Sequence, residues 1–141
     1  MIRDTELTDV PVFKAIHKAS GFDYIFPDLD DPLFITKKTA EEDGRPIQGI
    51  ALKLQAECYI WVAPDWGTPD ERWQRLQELC EEAKFAAWEK GLDFIVCSVP
   101  PEIADSFEKR LKQIGMLRDR DWPSFSFDLT KYTPNRVESA T

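Results

Sequence analysis

Few side chains here have the type and spacing to do chemistry. His17 is the sole histidine, and no GxSxG or Cys–His signature supplies the nucleophile that a relay through it would need. It reads as a surface or helix-end residue. Cys58, Cys80 and Cys97 form an odd set with no CxxC spacing and no histidine pair nearby, which argues against both a zinc site and a disulfide framework. Cys97 lies in an apolar run and Cys80 on an apolar helix stripe, so both read as small hydrophobes rather than exposed thiols made reactive by positive charge. Asp28, Asp30 and Asp31 crowd carboxylates together but lack the spacing and glycine of a calcium loop, and they read as a solvated connection. No metal site is expected.

The elements that must position these groups are bounded by length and charge. A chain of 141 residues suggests one domain, expected over residues 1–130, with a polar tail over 131–141. Twenty-six acidic against 18 basic residues give a net charge of -8, which repels a phosphate backbone and makes nucleic acid a poor partner. The apolar runs fall far short of the roughly 20 residues of a membrane span. The first residues, Met1 to Glu6, lack the apolar core of a secretory signal. A cytoplasmic protein without membrane contact is therefore expected, and the unpaired cysteines suit a reducing compartment.

Periodicity and punctuation mark the elements. Ile2-Arg3 opens as a short strand, and a helix follows over Asp9–Ser20 with Thr8 or Asp9 as cap, Pro11 in its first turn and Gly21 as its stop. Phe22–Pro32 is aromatic, acidic and irregular. Leu33–Ala40 and Gln48–Gln55 read as strands around the turn Glu41–Gly44, the second beginning only after Pro46. Cys58–Val62, apolar on both faces, reads as a central strand. Thr68 caps the strongest helix, with Pro69 first and Asp70 and Glu71 favouring its positive end. Trp73, Leu76, Cys80, Ala83 and Ala87 fall on one face, with Trp73 and Trp88 assigned to the core and Gly91 as the stop. A buried strand over Asp93–Val99 ends at Pro100-Pro101, and a helix over Glu102–Ile114 follows. Met116-Leu117 begins another strand, Arg118–Asp121 is a solvated turn, and the alternating Ser124–Leu129 closes the sheet. The order implies a mixed α/β (α+β) domain: a central, mostly antiparallel sheet with helices on both faces.

This order resembles the GCN5-related N-acetyltransferase (GNAT) superfamily from Ile2 to Leu129. Ile2-Arg3 with Asp9 before the first helix is similar to that family's opening, and Asp43–Gly49 to its second hairpin. Val62-Ala63-Pro64-Asp65-Trp66 resembles its strand exit, and Phe107 through Ile114-Gly115-Met116, with Trp122 beyond, its closing helix and strands. The resemblance implies a sheet splayed at its centre, acetyl-CoA as cofactor, and backbone N–H groups of an Arg/Gln-x-x-Gly-x-Gly/Ala turn cradling the pyrophosphate. Carried onto this chain, the cofactor-binding residues are Val62, Ala63, Gly67, Thr68 and Arg72.

The match departs from the family where the chemistry lies. Only Gly67 can serve as a close-approach glycine, Pro69 has no N–H, and Asp70 and Glu71 place negative charge beside a polyanion. Charges about 5 Å apart repel by roughly 3 kcal/mol at an effective dielectric near 20. Arg72 offsets part of this, and the same loop is also simply a well-made helix start. Where the family often has a proton-donating Tyr stands Leu111, and its frequent Asn falls near Ala104, so the catalytic residues are unknown; Glu57 is the nearest general base, with Tyr59 placed to orient a water. Tyr24 and Phe26 would flank an acidic, aromatic groove suited to a cationic amine, and Trp66 would cover an adenine or plug the cleft. Two functions follow: acetyl transfer to a small amine or protein lysine, or a catalytically inactive GNAT-like binding or assembly protein, of the kind short phage proteins resemble, contacting a protein partner or a second copy.

Overall fold

Arg3 sits in the middle of β1 (Ile2–Asp4), opposite Thr39 of the antiparallel strand β2 (Phe34–Glu42). Its guanidinium forks onto Asp9, with Nη1–Oδ2 at 2.7 Å and Nη2–Oδ1 at 2.9 Å, and Nη2 also reaches Glu41 Oε1 at 3.3 Å. Asp9 Oδ2 further accepts the Glu6 N–H at 2.8 Å and the Thr39 hydroxyl at 3.1 Å, and that hydroxyl shares a 2.9 Å hydrogen bond with Thr5. Asp9 and Thr39 are 2% and 0% exposed. A carboxylate so buried is tolerated because charged and neutral donors surround it. It closes a 3-10 turn over Leu7–Asp9, and α1 (Val10–Ala19) follows with Pro11 in its first turn. The expected helix start is met to within a residue. Asp9's side chain, however, binds backward to Glu6 instead of capping α1.

These elements belong to a computed structural model that describes residues 1–118 and 123–134. The Asp119–Asp121 part of the expected charged turn, Trp122 and tail residues 135–141 lie outside the described residues. The chain divides after Pro100 into two compact units.

In the first unit, β2 turns at Asp43-Gly44, both at positive φ, into β3 (Arg45–Lys53), which gives the sheet order β1-β2-β3, antiparallel throughout. Pro46 does not delay β3. It lies inside the strand opposite Glu41, next to a register shift after Ala40. Among the described residues β3 pairs on one side only, and an edge strand beside a bulge can spare the N–H that proline lacks. α1 packs on this sheet by setting Phe13 over Gly49. A Cβ at that glycine would lie 2.6 Å from the ring, so close approach excludes a side chain.

A second, two-stranded sheet pairs β4 (Ala56–Cys58) with β5 (Ile95–Cys97) in parallel, and α2 (Pro69–Glu89) lies between them in sequence. The fold class is therefore mixed α+β, but the described residues form two separate sheets in place of one central sheet. The expected strand through Val62 stops at Cys58. Its partner ends at Cys97, so Tyr59–Val62 pair with no strand among the described residues, and Trp61 is 85% exposed. In α2 only Leu76 is fully buried. Trp73 is half-buried, and Trp88, expected in the core, is 72% exposed. Lys53 joins the irregular connection to the start of β5, with its Nζ 3.2 Å from Asp31 and 2.9 Å from Asp93.

The second unit contains α3 (Pro101–Gln113). Its end consumes two N–H groups, Gly115 donating to Lys112 and Met116 to Leu111, so Met116-Leu117 starts no strand. Ser124–Leu129 also forms none. Phe125 and Phe127 are each 95% exposed, since alternation makes a strand only where a sheet edge is present to pair with. No helix among the described residues is long and apolar enough to cross a membrane.

Arg3 above all, with the Glu6 N–H and the Thr39 hydroxyl, holds the Asp9 carboxyl well below the usual range despite its burial. A lowered folded-state pKa gives stability that is complete above the unfolded value near 3.9 and is lost as pH falls below it. Asp9→Asn should therefore lower the melting midpoint at pH 7 by at least ~5 °C and flatten the acid limb below about pH 4. Thermal melts of both proteins from pH 2 to 8 check this; parallel acid limbs would contradict it.

Candidate functional site

The residues that sequence places at a cofactor turn do come together between the end of β4 and the start of α2. Val62 and Ala63 lie in the irregular stretch, and the Trp66 N–H donates to the Ala63 carbonyl at a long 3.5 Å. Gly67 has φ of +61°, a left-handed conformation that L side chains rarely adopt, and an added Cβ would fall 2.8 Å from Glu71 Oε2. Thr68 is the α2 N-cap in an extended conformation. Its hydroxyl accepts the Glu71 N–H at 3.2 Å, and Glu71 Oε2 accepts the Thr68 N–H at 2.7 Å. Arg72 Nη1 donates to the carbonyls of Trp66 at 2.9 Å and Gly67 at 2.8 Å.

The groups that could receive a diphosphate are thus engaged within the chain. Glu71 already sets a carboxylate against the cap N–H and beside the bare Cα of Gly67, and Arg72 faces carbonyl oxygens. Any anion entering here must displace or tolerate the Glu71 charge. This arrangement was partly legible: Thr68-x-x-Glu71 is a capping box, a signal stronger than the dipole preference of Glu71 alone.

Two further candidates also meet. The Tyr59 phenol is raised above its ordinary pKa, first by its hydrogen bond to Glu57 and then by that carboxylate's charge. Tyr59 stacks on Trp61 with ring centroids 6.3 Å apart. Glu57 stands in β4 with a hydroxyl donor on it, which is the geometry for passing a proton between a carboxylate and a nearby polar group. In α3, Leu111 and Ala104 contribute no titratable group.

His17 is not an ordinary helix-end residue. Its ring meets Tyr24 edge-on at 4.6 Å, with Phe26 at 5.7 Å and Phe22 at 5.9 Å, and its Nε2 is buried without a hydrogen-bond partner among the described residues. Phe22-x-Tyr24-x-Phe26, one turn after His17, was the readable signal for this cluster. Tyr24 and Phe26 therefore pack on His17, and Lys14 Nζ stands 6.0 Å over Phe26, where a cationic substrate would have gone. Asp28 and Asp31 accept the N–H groups of Asp30 and Leu33. Among the described residues no group of three or more His, Cys, Asp or Glu is arranged to hold a metal ion.

Compared with protein families, curated proteins and solved structures, the chain matches none.

Gly67→Ala should cost about 1–2 kcal/mol from the left-handed backbone alone, before the Glu71 carboxylate is pushed from its cap. Urea unfolding followed by tryptophan fluorescence checks this; a neutral substitution would show that the turn tolerates a Cβ.

Proposed function

We propose that the chain is a GNAT-like N-acyltransferase that takes acetyl-CoA at the Val62–Arg72 turn and passes the acetyl group to a small amine or a protein lysine. The β4–α2–β5 unit carries this reading. Two parallel strands end together at Cys58 and Cys97, and the chain leaves β4 through a turn that leads into a helix N-terminus. The carboxyl end of parallel strands beside a helix N-terminus is where α/β proteins receive phosphorylated ligands. The Arg3–Asp9 pair adds support, because it makes the resemblance's opening residues a structural unit.

In this mechanism residues 59–62 would hold the pantetheine thioester. Backbone N–H groups near Trp61 and Val62 polarise its carbonyl. The neutral amine would attack the thioester carbonyl, Glu57 would accept the proton it sheds, directly or through Tyr59, and collapse of the adduct would release the coenzyme A thiolate, which takes its proton from water. Arg72 would hold the pyrophosphate by turning from the loop carbonyls, and the Glu71 carboxylate would have to leave the Thr68 N–H to make room for it.

The self-contained hydrogen bonding of Glu71 and Arg72 favours a second reading, in which the same scaffold binds a protein partner or a second copy and turns nothing over. Coenzyme A separates the two. Saturation at about 100 times Kd adds about 2.7 kcal/mol of stability. The first reading expects a millimolar coenzyme A shift in the wild-type chain, at least a tenfold tighter Kd in Glu71→Gln, no shift in Arg72→Glu, and thiol release from acetyl-CoA with a polyamine acceptor. Binding without thiol release selects the second reading. No shift in either wild type or Glu71→Gln removes coenzyme A from both.

A further inference from the structure

Independently of acyl transfer, we infer that Cys58 and Cys97 are a disulfide-forming pair that locks the ends of β4 and β5 together when a small disulfide such as oxidised glutathione is present. The two residues are register partners at the last rung of the parallel pair. Neighbouring strands lie about 4.8 Å apart, and directly opposed residues face the same side. A disulfide needs Cα atoms about 4.4 to 6.8 Å apart, so the bridge asks for little backbone movement. The two thiols are close enough that Cys58 raises the cost of ionising Cys97. All three cysteines are free and partly exposed, which leaves the pair within reach of a small oxidant. Cys80, on α2, is close enough to feel the other thiols and is the competing partner. Burial first, then the neighbouring thiols, pushes Cys80 and Cys97 above the ordinary thiol range, so exchange speeds up as pH rises and more thiolate is present.

The exchange is balanced. One cysteine, as thiolate, attacks a sulfur of the small disulfide, forming a mixed disulfide and releasing one small thiol. The second cysteine gives its proton to solvent, attacks the protein sulfur of that mixed disulfide, and expels the second small thiol. Two protein thiols lose two electrons, and one small disulfide becomes two thiols. The bridge closes a loop containing α2 and the turn before it, which restricts the unfolded chain.

The test oxidises the full wild-type chain with oxidised glutathione, quenches it with acid, and maps its peptides without reduction. The expected result is a fall from three free thiols to one, a Cys58–Cys97 peptide pair, and a melting midpoint raised by at least ~5 °C and restored by dithiothreitol. Cys80→Ser should form the same link. Three thiols left reduced, glutathione adducts without a protein crosslink, or a link through Cys80 would each overturn the assignment.

Discussion

One buried carboxylate organises the first part of this protein. Asp9 is withdrawn from water, and that loss is offset only by a two-pronged contact from Arg3, a backbone N–H from Glu6 and the Thr39 hydroxyl. These donors come from β1, from the turn before α1 and from β2, so the carboxylate fixes three elements at once. Shifting any of them by one residue leaves a buried charge short of a partner, which costs more than a lost surface contact. The position of α1 follows, and with it the seat of Phe13 on Gly49 and the place where the chain leaves the helix toward Phe22, Tyr24 and Phe26.

The turn before α2 shows two demands on the same atoms. A helix start needs its first N–H groups satisfied, and Glu71 does this from within the chain. An anion site needs those groups unsatisfied until the ligand arrives. Pro69, Asp70 and the capping box all favour the helix, and Gly67 alone favours the ligand. Under the acyl-transfer reading, stability and cofactor affinity therefore oppose each other here, a familiar trade at working sites.

The parts legible in the sequence were those governed by local chemistry. Caps, first-turn prolines and glycine stops placed the starts of α1 and α2 to within a residue, and Asp43-Gly44 placed the hairpin. What misled was pairing, which depends on a partner distant in sequence. Cys58–Val62 has the composition of a strand, but its neighbour β5 stops at Cys97 and the ladder ends with it. Ser124–Leu129 alternates like a strand and pairs with nothing among the described residues. At the site, the candidate residues were readable one by one. The spacings Thr68-x-x-Glu71 and Phe22-x-Tyr24-x-Phe26 signalled the capping box and the His17 cluster, but that Arg72 turns back onto the Trp66 and Gly67 carbonyls depends on side-chain direction, which spacing alone does not give.

Charge then decides which half of the proposed reaction is harder. A chain of net charge -8 draws cationic amines toward it and repels coenzyme A, whose phosphates would meet Asp70 and Glu71 first. Arg72 supplies one counter-charge against these two carboxylates. Electrostatics at the turn cannot then be the main source of cofactor affinity. Under the acyl-transfer reading that affinity would come from apolar and stacking contacts, and the exposed rings in the stretch between β4 and α2 are Trp61 and Trp66. A stacked indole contributes roughly 0.5–1.5 kcal/mol beyond its burial, less than one uncompensated charge at 5 Å costs. The balance turns on Glu71: its carboxylate in the cap makes the turn a closed helix start, and the acyl-transfer reading requires that it be displaced before the same backbone can receive an anion.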